Sequence, residues 1–152
     1  MANTKMLIVA DSRPLLMLAL ADSLDVLLIP GAKVIIPDMV MFVVTEHDKP
    51  GSSEMLNWLS AQQDRVFIAK TEEYYEFKVM RRVYPDRKIG CREERAAGEV
   101  MNEELEGGVD EIILLFDEVD IKKPPNYLRP FTDNVCCMSA SMLLDAKKRK
   151  CS

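Results

Sequence analysis

The sequence predicts an α/β protein built on a mostly parallel central sheet flanked by helices. Two continuous apolar runs, Lys5–Ala10 and Ile112–Phe116, have the length and composition of strands that are buried on both faces, as in parallel sheets. Strand-like and helix-like segments alternate along the chain, without a repeat or a long linker. Such alternation is typical of α/β folds.

Five segments carry strand signals. Each is a short apolar run with turn residues or helix-like segments on either side, as expected for a strand. In chain order, the predicted strands are Met6–Asp11, Lys33–Ile36, Val66–Ala69, Glu111–Asp117 and Val135–Cys137.

Between these strands, apolar residues recur at spacings of three and four, which predicts helices. Pro14 and Pro37 suit helix starts, Pro85 ends the fourth helix, and Gly107 follows the fifth. In the first helix, Met17, Leu20, Ala21 and Leu24 are expected on the buried face, with Leu16 beside them. The predicted helices are Arg13–Leu24, Asp38–Thr45, Glu54–Gln63, Thr71–Val83, Arg92–Leu105 and Ser139–Lys148.

Length and composition favour a single globular domain over residues 1–152, with 48% hydrophobic and 30% charged residues. No apolar stretch reaches the ~18 residues of a membrane span, and no signal-peptide pattern is evident. We therefore expect a cytoplasmic protein without a membrane partner. The net charge of −5 disfavours a nucleic-acid scaffold protein but is compatible with a nuclease, whose metal pocket is itself acidic.

The supply of cysteine and histidine limits the possible chemistry. The four cysteines include no C-x-x-C pair, and His47 is the only histidine, which disfavours a structural zinc site. A Cys91–His47 nucleophile and base is a remote alternative, because nothing in the sequence orients either residue.

Both apolar runs end in an aspartate, Asp11 and Asp117. If the two strands are neighbours, their carboxylates meet at one edge of the sheet and need a cation or a shared proton. This arrangement points to a metal-dependent site. The alternative is that Asp11 with Ser12, and Asp117 separately, only cap the helices that follow.

Three segments resemble PIN-domain nucleases, in particular VapC-like toxins and their small single-domain relatives. The first is Leu7–Leu15 with its Asp-Ser pair, followed by Val34–Pro37. The second is Glu94–Ala97, similar to the family's "G-E-x-E-A" helix start, with Glu93 where the family often has glycine. The third combines Leu114–Glu118 with Ser139–Lys147, although Met138 and Ser141 replace the glycines of that motif.

The resemblance implies a three-layer PIN-like fold and a divalent-metal-dependent ribonuclease, a hydrolase that uses Mg²⁺ or Mn²⁺. It implies metal binding by Asp11, Glu94 and Asp117, with Glu118 next to the last, and supporting roles for Ser12 and Ser139. It also implies RNA as substrate, an antitoxin protein as a possible partner, and a homodimer. Glu94 can also be explained without a functional role, because the helix dipole favours an acid in the first turn of a helix.

The chemistry agrees with this set of residues. A bound Mg²⁺ acidifies its water and neutralises charge developing on a phosphodiester. Because Mg²⁺ prefers oxygen ligands and keeps several waters, two or three carboxylates are enough, and no histidine is required.

One position departs from the family pattern. The family's second acid would fall at Val43, so we expect weaker metal binding than in a complete site. Glu46 is the nearest carboxylate, about one helical turn further on, and could substitute if the helix is extended or shifted.

Two basic regions are candidates for RNA binding. Arg92 and Arg95 flank Glu93 and Glu94, and arginines beside a metal site can bind phosphate bidentately. Surface salt bridges explain the same residues. The second region, Lys147–Lys150, lies at a predicted helix end, where basic residues also favour the dipole.

Two other functions stay open. A degenerate PIN-like module could bind RNA or a protein without cutting, as Val43 suggests. A phosphoacceptor receiver is the other, because Leu7–Asp11 resembles a receiver's first strand. However, the predicted third strand is followed by Lys70 rather than by an acceptor aspartate.

Overall fold

The centre of the protein is a five-stranded sheet in which all neighbouring strands are parallel. The structure is a computed structural model that describes residues 5–116 and 134–151. The spatial order is β3-β2-β1-β4-β5, and the predicted α/β class with a parallel sheet is confirmed. The strands are β1 (Met6–Ala10), β2 (Ala32–Pro37), β3 (Val66–Ala69), β4 (Glu111–Leu115) and β5 (Val135–Met138).

Helices cover both faces of this sheet and give the three layers of a PIN-like fold. On one face, α1, α3 and α6 pack on Ile8 and Val34. On the other, α5 packs on Leu7 and Val9, so alternate residues of β1 enter opposite cores. The helices are α1 (Ser12–Leu20), α2 (Asp38–Thr45), α3 (Ser52–Ala61), α4 (Glu72–Val83), α5 (Arg92–Glu106) and α6 (Ala140–Cys151).

The first helix is shorter than its apolar spacing predicts. Met17 and Leu20 are 52% and 60% exposed, so their predicted burial is wrong. Asp22 adopts a left-handed φ of 51°, which ends the helix, and the chain continues into a short 3-10 turn at Leu24–Leu27. The prediction failed because Leu15, Leu18 and Ala19 form the buried face of α1 instead. Ala21 is exposed as well, and Leu24 is buried from a separate element.

Strand β1 lies at the point where the order in which the chain adds strands to the sheet reverses. The chain builds β2 and β3 on one side of it, then returns to build β4 and β5 on the other. Ligands of open α/β sheets bind at the carboxyl ends of strands beside such a switch point. The flavodoxin-like order of receiver domains is 2-1-3-4-5, so the observed order excludes the receiver alternative.

Within residues 5–116 and 134–151, no helix combines the length and apolar character that a membrane span requires.

A glycine sets the close approach of α1 and α3. Gly51 precedes α3 with a left-handed φ of 93°, and a Cβ built there would lie 2.8 Å from the backbone oxygen of Leu16. A side chain at this position would therefore strain the backbone and also push α3 away from α1.

We expect Gly51→Ala to lower the free energy of unfolding by about 2–5 kcal/mol. Left-handed strain contributes ~1–2 kcal/mol, and overpacking against α1 adds ~1–3 kcal/mol. Gly31→Ala is the matched control, because Gly31 has a φ of 81° but open space around its Cβ position. Urea unfolding measures both variants, and equal losses would show that the contact between α1 and α3 tolerates a methyl group.

Candidate functional site

Two carboxylates from distant parts of the chain meet at the carboxyl end of β1. Asp11 caps α1, and its Oδ1 accepts a hydrogen bond from the Ser12 N–H over 3.0 Å. The same N–H donates to Glu93 Oε1 over 3.2 Å. Glu93 is 81 residues away in sequence from Ser12 and lies in the first turn of α5. One backbone donor thus serves two acidic side chains.

This arrangement changes the acidity of Asp11. Burial raises the pKa of the Asp11 carboxyl well above its ordinary value, and the hydrogen bond and charge of Glu93 raise it further. The charge of Glu94 acts in the same direction, and the Ser12 N–H opposes it. Two carboxylates this close cannot both ionise without cost, so the pair must retain a proton or bind a cation.

Packing of α5 explains how Glu93 reaches this place. Ala96 and Ala97 are buried, which lets the first turns of α5 lie close to the sheet and to α2. Arg92 is also buried, with its guanidinium 5.5 Å from the centre of the Phe77 ring and Nη1 3.1 Å from Glu73 Oε1. These contacts hold the start of α5, and therefore Glu93, against Asp11.

Glu93 could not be recognised as a site residue from the motifs, which matched Glu94 to the family's acid. Glu94 is half-buried, and its charge raises the pKa of Asp11. The direct contact with the end of β1 comes from Glu93. Adjacent acids in a first helical turn point in directions that differ by about 100°, and only the packing of α5 decides which of them faces Asp11.

The other predicted acids lie outside the described residues. Asp117 and Glu118 follow Phe116, where the described segment ends. That segment contacts the site directly, because the Asp11 N–H donates to the backbone oxygen of Leu115 over 2.9 Å. Strands β1 and β4 are neighbours in parallel register from Met6 and Glu111 onward, so the expectation that the two apolar runs are adjacent is confirmed.

Both predicted serines are buried near strand ends. Ser12 follows Asp11 and supplies the N–H that the two carboxylates share. Ser139 follows β5, and its Oγ accepts a hydrogen bond from the Met142 N–H over 3.2 Å, as an N-cap of α6 does.

Val43 has a packing role in α2. It contacts an apolar cluster of Met39, Phe77 and Ala96 that joins α2, α4 and α5. Ala96 is one helical turn after Glu93. The residue at position 43 therefore lies beside the helix that carries Glu93.

Glu46 lies at the far end of α2. It follows the last residue of the helix and is 3.8 Å from Lys49 Nζ. Roughly 12 Å of helix axis separates it from Asp38 at the edge of the sheet. Lys49 also donates to the backbone oxygen of Val43, which ties this end of α2 to the loop that follows.

The two predicted RNA-binding arginines have different surroundings. Arg92 is buried in the ion pair with Glu73 described above. Arg95 is exposed, and its Nη1 lies 3.7 Å from the same Glu73 carboxylate. Of the two, Arg95 is the side chain that solvent and a phosphate can reach.

A second aspartate, Asp38, lies at the same edge of the sheet, and both of its carboxylate oxygens accept hydrogen bonds. Asp38 follows β2 and accepts hydrogen bonds from the Met39 N–H, the Thr71 N–H and the Thr71 hydroxyl over 2.9, 3.0 and 2.6 Å. It faces donors, whereas Asp11 faces another carboxylate. The two aspartates therefore have opposite electrostatic surroundings.

The donor set suits a hard divalent cation. Asp11 and Glu93 offer carboxylate oxygens, and Mg²⁺ can be bound through one or two carboxylates while it keeps several waters. In the part of the chain that the structure describes, no group of three or more Asp, Glu, His or Cys side chains could hold a metal ion. Among the described residues, Asp11 and Glu93 are thus the two carboxylates that come together at this edge.

No protein-family model matches this sequence, and a comparison with the curated proteins finds no match.

We expect Asp11→Asn to stabilise the protein at neutral pH in the absence of divalent ions. The folded state raises the pKa of Asp11, so its contribution to stability is full below the unfolded pKa of ~3.9 and is lost as pH rises through the folded pKa. Asparagine does not titrate, and its amide can donate to Glu93. The melting temperature of Asp11→Asn, measured in EDTA, should match wild type below about pH 4 and exceed it at pH 7.

Asp38→Asn is the matched control for this prediction. It should lower stability at pH 7 by about 1–3 kcal/mol, because an amide group would face the donors of Thr71. A loss of stability in Asp11→Asn similar to that in Asp38→Asn would show that the Asp11–Glu93 pair carries no unfavourable charge interaction.

Proposed function

We propose that this protein is a divalent-metal-dependent ribonuclease whose site is built on Asp11 and Glu93. The observation that supports the proposal is the convergence of these two carboxylates on the Ser12 N–H at the carboxyl end of β1. A helix cap needs one acceptor, and Asp11 already provides it. The second carboxylate raises the pKa of the first, a cost that a cation would remove.

Asp11 and Glu93 would hold the ion, and Glu94 would add negative charge next to them. When bound, Mg²⁺ or Mn²⁺ supplies an acidified water and neutralises the charge that develops on a phosphodiester. The Ser12 N–H orients both carboxylates. The exposed Arg95, on the same helix as Glu93, would contact a phosphate of RNA. Asp117 and Glu118, next in sequence after the Phe116 end of the described segment, are proposed as further ligands.

The biological role within this proposal is that of the toxin of a toxin–antitoxin pair, with an antitoxin protein as partner. This part rests on the resemblance to VapC-like toxins.

A second candidate is a PIN-like module that binds RNA or a protein without catalysis. It is favoured by Val43, which fills an apolar cluster where the family pattern has an acid. In that case no cation would offset the repulsion between Asp11 and Glu93. The two candidates differ in one measurable property, which is whether a divalent ion binds to this pair.

Metal binding is the first test of the proposal. Mg²⁺ or Mn²⁺ at 100 times its dissociation constant should raise the free energy of unfolding by about 2.7 kcal/mol, because the ion binds the folded state. This gain should disappear in Asp11→Asn and in Glu93→Gln, as should cleavage of single-stranded and structured RNA. Thermal unfolding with and without the ion, and gel-based cleavage, measure the two effects.

Glu103→Gln is the matched control, because Glu103 is an exposed acid on the same helix. It should keep both the metal-dependent gain and the cleavage. Metal stabilisation that persists in both Asp11→Asn and Glu93→Gln would remove this pair as the site. Metal binding without cleavage of any RNA would favour the non-catalytic module.

We expect Val43→Glu to increase cleavage and to reduce the concentration of Mn²⁺ or Mg²⁺ that is required. A missing ligand or supporting acceptor typically costs ~10–100-fold in metal affinity or activity, and Val43 packs against the apolar cluster that includes Ala96 of α5. Val43→Gln is the control, because it makes the same change in packing without a charge. Equal activity of the two variants would show that a carboxylate at position 43 does not reach the ion.

A further inference from the structure

Strand β3 forms one edge of the sheet, and no strand of the described residues pairs with its outer side. The Val34 N–H donates to the backbone oxygen of Arg65 over 3.2 Å. In a parallel ladder, alternate residues of a strand direct their N–H and C=O groups to the same neighbour. The N–H and C=O groups of Ile68 therefore point away from β2, where they can hydrogen-bond one further strand.

The side chains at this edge are apolar and exposed on both faces of the sheet. Phe67 is 41% exposed and Ile68 is 52% exposed, and adjacent residues of a strand point to opposite faces. Phe67 is in register with Ile35, which packs in the core beneath α5, so Phe67 lies on the α5 face. Edge strands are commonly protected by charged side chains or proline, and Val66–Ala69 contains neither. This composition favours pairing with another strand.

An acidic groove continues from the carboxyl end of β3. It has a volume of about 820 Å³, lies between α4 and α5, and is lined in part by Lys70 and Thr71, which directly follow β3. Its carboxylates are those of Glu72, Glu76, Glu99, Glu103 and Glu106. Glu99 accepts hydrogen bonds from the N–H groups of Glu72 and Glu73. Within the described residues, the other four carboxylates form no ion pair, so the groove attracts positive charge.

We propose that the edge of β3 binds an extended segment of a partner protein in which basic residues alternate with apolar ones. The segment adds a strand to the sheet, and its backbone hydrogen-bonds the N–H and C=O groups of Ile68. Because side chains of a strand alternate between faces, its basic residues share the α5 face with Phe67 and the groove. Its apolar residues cover the exposed side chain of Ile68 on the other face.

Phe67 gives the basic side chains of the partner a place to pack. The ammonium of Lys33 already lies 5.7 Å from the centre of the Phe67 ring, which shows that the ring accepts a cation at this edge. A lysine or arginine of the added strand can pack its apolar stem on the same ring and direct its charge to the carboxylates of the groove.

Charge favours such a partner over a second copy of this chain. A second copy would present β3 itself, and Val66–Ala69 has no basic residue to place on the α5 face. An acidic segment would place like charges against the groove. None of the edge and groove residues belongs to the Asp11–Glu93 site, so the proposed binding does not depend on the nuclease activity.

A synthetic peptide tests this surface without any change to the protein. The probe is a fluorescent peptide of about six residues in which lysine alternates with valine, and fluorescence anisotropy measures its binding. Glutamate in place of lysine should weaken binding at least ~10-fold, because like charges then meet at the groove. Methylation of the backbone nitrogens of either all lysines or all valines should prevent binding in one case only, because alternate N–H groups of an added strand face β3.

Variants of the groove test its part in binding. Glu76→Gln/Glu103→Gln should weaken binding of the lysine–valine peptide by about 3–10-fold, because two exposed charges that face the peptide are lost. Glu54→Gln/Glu111→Gln is the matched control, since it removes two exposed carboxylates on other elements, and it should bind the peptide as wild type does. Circular dichroism checks that both variants are folded.

Several outcomes would overturn the proposal. Failure of the unmodified peptide to bind, or equal weakening by the two pairs of substitutions, would exclude the edge and its groove as a site. Equal binding of both methylated peptides would show attraction by charge alone, and loss of binding with both would indicate a helical ligand. A dimeric wild type that light scattering shows to become monomeric in Ile68→Lys would assign the edge to a second copy.

Discussion

Strand β1 is hydrogen-bonded on both sides, to β2 and to β4, and this double pairing determines where the site can form. It buries Leu7 to Ala10 almost completely, so the strand tolerates no polar residue until it leaves the sheet. Asp11 is the first residue beyond that constraint. Because β2 and β4 lie on opposite sides of β1, this end of β1 is a switch point of the kind where open α/β sheets bind ligands, and α5 places Glu93 beside it.

The two described aspartates at this edge show that environment, rather than residue type, decides the role of a carboxylate. Asp38 accepts three hydrogen bonds and joins α2 to the start of α4. Asp11 has one donor, shares it with Glu93, and has a raised pKa. The first arrangement stabilises the fold at neutral pH, whereas the second opposes it unless a proton or a cation is present. Carboxylates with such a conflict mark candidate functional sites.

Helix α4 connects this site with the rest of the surface. Its inner side presents Glu73, which holds Arg92 at the start of α5, and Phe77, which packs beneath the same guanidinium. Its outer side presents the exposed side chains of Tyr75, Val79 and Val83.

The sequence alone determined the fold class, because the apolar runs of β1 and β4 can be buried only within a parallel sheet, and it identified Asp11 at the end of β1. Local spacing failed for Met17 and Leu20, since the face of α1 that packs on the core carries Leu15, Leu18 and Ala19 instead. The sequence suggested that Arg92 binds phosphate, but its guanidinium is buried in an ion pair with Glu73, which lies 19 residues earlier in the chain. Only the tertiary structure showed that Glu93 contacts the end of β1. Both acids have the same propensity and dipole energy in a first helical turn, and the rotation of α5, set by the burial of Ala96 and Ala97, turns Glu93 toward Asp11.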